Sequence, residues 1–228
     1  MSLRTKFFAM TYDRQIAGAE KAGLRAFRER LLVGASGDVL EIGGGTGLNL
    51  SCYGPAVRSL TITEPEPPML RRLERAVSAH HSSARVLRAP AEDLPFDDDS
   101  FDVAVSTLVL CGVDDQPRAL RELRRVLRPG GRLLFIEHLR SADPAWARLQ
   151  DRMNWLNRLV VRCDCNRPTL DSVRHAGFTV TELDHTELPN APKFVRPAVV
   201  ASATAPAAVP SGSARRDHPA DGKIPHSS

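Results

Sequence analysis

The chain has 228 residues, of which 42% are hydrophobic and 25% charged, enough apolar material for one packed core and too little length for two large domains. No run approaches the roughly eighteen apolar residues of a membrane span, and Arg4, Lys6, Asp13 and Arg14 surround Phe7 and Phe8, so neither an integral membrane segment nor a secretory leader is expected and the chain reads as cytoplasmic. The formal charge of +4 comes from arginines interleaved with glutamates along helical faces, a solvated surface rather than a phosphate footprint, so no nucleic-acid partner is expected.

In chain order, a long helix is predicted from Ala17 to Leu32, followed by an apolar strand at 38–42 that ends in Glu41 and opens into Gly43-Gly44-Gly45-Thr46-Gly47. Glycines at Gly43, Gly45 and Gly47 let the main chain turn tightly and touch a ligand where a Cβ would intervene. The dinucleotide fingerprint needs a third glycine three places after Gly45, and Leu48 stands there. Glu41 would also repel a pyrophosphate, whereas it suits a cation. A second strand at 60–63 ends at Glu64, about twenty residues on, where a carboxylate meets a ribose diol in nucleotide-type folds. Pro65, Pro67 and Pro68 start a helix with an apolar stripe at Met69, Leu70, Leu73 and Val77.

A third strand is predicted at 85–88. Asp97 to Asp99 form a polar turn into a fourth strand at 101–107. Leu120, Leu123, Val126 and Leu127 supply the buried stripe of the next helix, with Arg118, Arg121, Arg124, Arg125 and Arg128 flanking it. Pro129-Gly130-Gly131 stops that helix and turns into a fifth strand at 132–137. His138 follows at the carboxyl edge of the sheet, as a base or a hydrogen-bonded structural residue. Two last strands, Phe178 to Glu187 and Arg196 to Ala203, form a hairpin, and from Thr204 the composition predicts disorder. The strand and helix alternation means β-α-β units and a parallel sheet covered on both faces. Cys52, Cys111, Cys163 and Cys165 read as reduced thiols. Cys163-x-Cys165 lacks the spacing of zinc or redox pairs, so no metal site is expected.

A strand ending in an acid and followed by Gly43-x-Gly45-x-Gly47 resembles the first motif of the class I methyltransferases, which bind S-adenosyl-L-methionine. The run Ala91-Glu92-Asp93-Leu94-Pro95-Phe96 with Ser100-Phe101-Asp102, and the Arg128-Pro129-Gly130-Gly131 turn, are similar to the type 11 methyltransferase domain. Tyr12-Asp13, Gly47-Leu48-Asn49-Leu50, Thr107 to Cys111, Ile136-Glu137-His138, Cys163, Asn166-Arg167-x-Thr169 and Val195-Arg196-Pro197 look like the small-molecule thiol methyltransferase branch, and the resemblance covers roughly residues 7 to 203. It implies an α/β, Rossmann-like class I methyltransferase fold: a mostly parallel seven-stranded sheet, helices on both faces and an antiparallel last strand. Residues 1–37 would be lid helices, 38–203 the S-adenosylmethionine-binding domain and 204–228 a tail.

The implied cofactor-binding residues are Glu41, Gly43, Gly45, Gly47, Asn49, Glu64, Ala91, Glu92 and Thr107. Pro90 replaces the family's aspartate, so adenine recognition falls to Glu92 or to the Ala91 main chain. The catalytic candidates are His138, as base or orienter, and Tyr12, as an aromatic partner of the sulfonium. Cys163 and Asp164 are candidates for the acceptor pocket. The implied acceptor is a small molecule such as a thiol; a lipid headgroup, a quinone or a secondary metabolite methylated at N, C or O is the alternative. A protein that binds the cofactor without turnover is the rival of another class.

Overall fold

The computed structural model describes residues 12–80 and 82–207. The chain is helical over 12–19 (α1), passes through a π-helical segment at Glu20–Leu24 and continues as α2, Arg25–Leu32. The predicted helix from Ala17 is therefore present, with one wide turn inside it where Gly23 takes φ 136°. Then follow β1 (Gly37–Ile42), a 3₁₀ turn at Leu50–Cys52, β2 (Val57–Thr63), α3 (Pro67–Ala79), β3 (Arg85–Leu87), β4 (Phe101–Thr107), α4 (Gln116–Val126), β5 (Leu127–His138), α5 (Pro144–Val161), α6 (Thr169–His175), β6 (Thr179–Glu187) and β7 (Pro197–Thr204).

The seven strands lie in the order β3-β2-β1-β4-β5-β7-β6. The first five pair in parallel, and β7 runs antiparallel to both β5 and β6. A short connection between β6 and β7 forces that reversal, since only an antiparallel partner can be reached without a crossover. β1 and β4 sit side by side although β2, α3 and β3 separate them in sequence. At that point the sheet's winding reverses, which opens a crevice at the carboxyl ends of the strands.

Period-two alternation divides the strand residues between two cores. Leu40, Ile42, Ala104, Leu133 and Phe135 face α4, where Leu120, Leu123 and Val126 are fully buried. Val39, Val103, Val105, Leu134 and Ile136 face the other way and pack with Leu24, Leu31 and Leu32. The predicted stripe of α3 is likewise buried at Met69, Leu73 and Val77.

Strand β2 starts at Val57, ahead of its predicted start at 60, and two further boundaries differ from the sequence reading. Strand β5 begins at Leu127, directly after α4, because Phe101 pairs Leu127 while Val103 pairs Arg132. The Arg128-Pro129-Gly130-Gly131 turn is thus an outward bulge within the strand, with Gly130 at φ 77°. At the other end Thr204 still belongs to β7, and the Ala205 amide donates to the Gly131 carbonyl at 2.8 Å. The predicted disorder beyond 207, and residues 1–11 of the predicted lid, lie outside the described residues.

Truncating Leu123 to Ala removes a fully buried side chain from the α4 face of the core. We expect a loss of about 3 kcal/mol in urea unfolding, with the slope of the transition unchanged.

Candidate active site

The crevice between β1 and β4 is lined at its base by the glycine loop. Gly43, Gly45 and Gly47 all have positive φ, at 58°, 58° and 84°, a region that costs other residues about 1–2 kcal/mol. The glycines serve different ends. A Cβ on Gly43 would lie 2.7 Å from the Val109 methyls, and one on Gly47 would press on Leu50 and Ala76. Gly44, which the spacing argument passed over, is equally constrained, with Ile62 Cγ2 only 2.3 Å from where its Cβ would be. At Gly45 the nearest protein atom would be 3.7 Å away, so its open side faces the cavity.

That cavity measures about 280 Å³ and is lined by Tyr12, Gly43, Gly45, Glu64, Ala91, Glu92 and Thr107, with Val109, Val161, Arg162 and Cys163 on the far wall. A small connected recess of about 20 Å³ reaches Arg28, Glu41, Thr46 and Asn49. Of the predicted cofactor-binding and catalytic residues, only Gly47 and His138 line neither space. A larger hollow of about 460 Å³ sits at the opposite edge of the sheet among Asp98, Arg121, Arg124 and Pro129. None of the candidate residues reaches it.

Glu41 is buried beneath the loop. Its Oε1 accepts from Asn49 Nδ2 at 2.9 Å and its Oε2 from the Tyr53 hydroxyl at 2.6 Å. Asn49 Nδ2 also donates to Thr107 Oγ1, and Arg28 Nη1 donates to both Asn49 Oδ1 and Thr107 Oγ1 at 2.9 and 3.0 Å. One network therefore ties α2, β1 and β4 together, with Arg28 held by Glu20 at 3.0 Å. Burial raises the Glu41 carboxyl to about 7, against the pull of its Tyr53 and Asn49 bonds. A cation placed in the recess would favour the ionised form. Tyr12, half-buried beside it, has its phenol pushed up to about 12 by desolvation and stays neutral.

Glu64 accepts the Gly45 amide on Oε2 and the Glu66 amide on Oε1, each at 2.9 Å. Every carboxylate oxygen accepts two bonds, so both can still receive a ribose hydroxyl. Glu92 accepts the Asp114 and Asp115 amides at 2.8 and 3.2 Å through Oε1, which makes it a brace for the start of α4 as well as a cavity wall. Thr46 Oγ1 is buried without a hydrogen-bond partner among the described residues. An orphaned hydroxyl in the recess and an open Gly45 are what a bound adenosyl amino acid would use, so the residues fit S-adenosylmethionine.

Sequence reasoning missed Arg28, Tyr53 and Glu137. Glu137, fully buried at the end of β5, accepts Ser106 Oγ, the Val109 amide and the Leu110 amide at 2.7, 2.9 and 2.9 Å, and the Cys111 amide at 3.2 Å. This fixes the loop after β4, including Leu108 at φ 60°. Its place beside His138 in the sequence gave no spacing to that loop.

His138 is buried, and its Nδ1 lies 3.2 Å from Cys163 Sγ and 3.4 Å from Cys111 Sγ. It meets the cavity through Cys163. A hydrogen bond from the Cys111 thiol and the nearby His138 charge hold the Cys163 thiol well below its ordinary range. Burial works against the imidazolium, but the Cys163 sulfur outweighs it and raises the His138 pKa. Asp164, by contrast, is taken up by Arg167 at 2.6 Å and Asn154 at 2.8 Å and lies outside the lining.

A family model described as "Methyltransferase domain" matches residues 40–135. Thiol S-methyltransferase TMT1A of Homo sapiens is 33% identical over 83% of this chain and 80% of its own length, and thiol S-methyltransferase TMT1B of the same organism is 36% identical over 69% and 67%. Among solved structures, a SAM-dependent methyltransferase from Thermotoga maritima aligns with TM-score 0.64 at 25% identity, covering 90% of this chain and 100% of that one.

Gly45→Ala should fold, since its Cβ meets no close protein atom, yet weaken S-adenosylmethionine binding at least tenfold in calorimetry. Gly43→Ala should instead lower the melting temperature by several degrees through the Val109 clash. With Glu41 ionising near pH 7, donor affinity should rise about eightfold from pH 6 to pH 7.5, because only the ionised fraction attracts the cation. Glu41→Gln should flatten that rise. An unchanged slope in the variant would assign it to another group.

Proposed function

From the premise that the chain belongs to the S-adenosylmethionine-dependent methyltransferases, we propose that it transfers the methyl group to the sulfur of a small thiol. The observation that carries this reading is the identity, over most of their length, with relatives named thiol S-methyltransferases. Its support within the cavity is an acceptor wall of Val109, Val113 and Val161 beside Cys163, a surface suited to a compact apolar nucleophile rather than to a polar headgroup.

When bound, S-adenosylmethionine supplies a methyl carbon activated by a positive sulfur. The chain's part is to hold both partners in line and keep water out. Glu64 would take the ribose hydroxyls on the free lone pairs of its two oxygens. The Ala91 main chain and Glu92 would border the adenine. Glu41, steadied by Asn49 and Tyr53, would face the ammonium, and Tyr12 would lay a neutral ring near the sulfonium. Thr107, bonded to Asn49 and Arg28, links the donor site to the end of β4.

A thiolate and a sulfonium lose their charges together in the transition state, so the low dielectric of a closed apolar pocket favours the reaction. A small thiol is a few per cent ionised near neutral pH, so a strong base is not required. His138 acts on the acceptor as a positioning residue, through Cys163. Arg162, ending α5 in the left-handed region at φ 58°, pairs with Glu66 at 2.7 Å, and both line the cavity.

Formation of S-adenosylhomocysteine with matched panels of small thiols, phenols and amines tests the reading. Thiols should turn over at least tenfold faster in kcat/KM than the other two classes. A phenol or amine that outpaces every thiol would overturn it. Glu64→Gln should raise the donor KM about tenfold while leaving the order of acceptors unchanged.

A further inference from the structure

We propose that Cys111, His138 and Cys163 form a three-ligand site for a thiophilic divalent cation such as zinc, with its fourth side open toward the donor cavity. The two sulfurs and Nδ1 all lie within 4.8 Å of one another, and all three residues are buried. Zinc holds thiolate sulfur at about 2.3 Å and imidazole nitrogen at about 2.0–2.1 Å, which sets the nitrogen-to-sulfur edge of a tetrahedron at about 3.5 Å. The observed edges of 3.2 and 3.4 Å need only a slight outward shift to admit the ion. One ring nitrogen faces both sulfurs, so a single point serves all three donors.

Charge and softness agree with this. Two thiolates and a neutral imidazole cancel the charge of a divalent cation, which keeps the cost of burying it low. Thiolate and imidazole donors select zinc over magnesium or calcium. Binding releases two protons to solvent, one from the Cys111 thiol and one shared by Cys163 and His138, and with the Nδ1 lone pair on the metal the ring proton resides on Nε2.

The main chain holds the donors in place before any ion arrives. Glu137 accepts the Cys111 amide, the Asp164 amide donates to the Cys111 carbonyl at 2.8 Å, and Asn157 Nδ2 donates to the Cys163 carbonyl at 2.6 Å. Gly112 is pressed so close to the Arg162 carbonyl that a Cβ would sit 2.9 Å from it. The two cysteine segments are therefore locked against each other, which is how a metal site gains precision. No fourth histidine, cysteine or carboxylate joins the group among the described residues, whereas Cys163 and Gly112 line the cavity. Three protein ligands with one position left open is the pattern of zinc sites that bind a reacting group. Resting on the thiol reading of the acceptor, the fourth ligand is the acceptor sulfur: its S–H bond breaks on coordination, the proton leaves to solvent, and the sulfur lone pair is presented to the methyl.

The full chain, titrated with cobalt(II) as the spectroscopic substitute for zinc, should take up one equivalent. It should develop thiolate-to-cobalt charge transfer and the intense visible bands of a tetrahedral centre. Cys111→Ser, Cys163→Ser and His138→Ala should each weaken uptake at least a hundredfold, while Cys52→Ser, outside the cluster, keeps it. Zinc should shield Cys111 and Cys163, and not Cys52, from alkylation mapped by mass spectrometry, a readout available even where a variant folds poorly. Absence of the charge-transfer band in the wild type, its survival in both cluster cysteine variants, or shielding of other cysteines would reduce the trio to a hydrogen-bonded cluster and overturn the site. Adding a small thiol to the cobalt form should shift its visible bands; unshifted bands would overturn the open fourth position. These spectra need no methyl transfer, so a failure of the thiol acceptor assay leaves the metal result readable on its own.

Discussion

Two carboxylates are buried at the ends of strands that flank β4, and the need to hydrogen-bond each of them shapes the site. Glu41 at the end of β1 and Glu137 at the end of β5 are 3% and 0% exposed, and an unpaired carboxylate at such depth would be very costly. β4 answers both: Ser106 donates to Glu137, while Thr107 joins the Asn49 and Arg28 network around Glu41. The loop after β4 has to bring three amides onto Glu137, and doing so places Val109 against Gly43 and Cys111 against His138. The glycine-loop floor of the cavity and the cysteine cluster are thus two results of one constraint.

The two acids are satisfied differently. Glu137 is surrounded by backbone amides, which cannot move away without breaking the loop, so it acts as a fixed anchor. Glu41 is held by side chains, Asn49 and Tyr53, in a recess that borders the cavity. Burial brings its ionisation close to pH 7, which makes its charge responsive to what binds beside it. One carboxylate builds the wall and the other is available to the ligand, although both stand at a strand end in the sequence.

The far side of the cavity is assembled from distant segments. Arg162 caps α5 and reaches Glu66 between β2 and α3, while Tyr12 enters from α1. The π-helical turn at Glu20–Leu24 brings Glu20 to Arg28 across eight residues, so the wide turn and the ion pair that supports the Glu41 network belong together. Such π turns often occur where a helix serves a site.

Fold class and the glycine-loop floor of the cavity were legible in the sequence, because their signals are local. Short strand-like runs between helical patterns and turns marked the seven strands, glycine spacing with flanking acids marked the loop, and Glu64 could be counted from it. Contacts between segments that no spacing relates were decided only in three dimensions. Arg28 looks like any arginine of an amphipathic helix until it lies between Asn49 and Thr107. Gly44 looks like filler until Ile62 closes on it. The bulge at Arg128 to Gly131 reads as a plain turn until Phe101 pairs Leu127. Cys111 and Cys163 are 52 residues apart, and parallel pairing of β4 with β5, together with the return of α5, brings their sulfurs to one imidazole. Local periodicity is written by backbone geometry a few residues at a time, whereas a buried polar cluster depends on which chain segments the sheet order sets side by side.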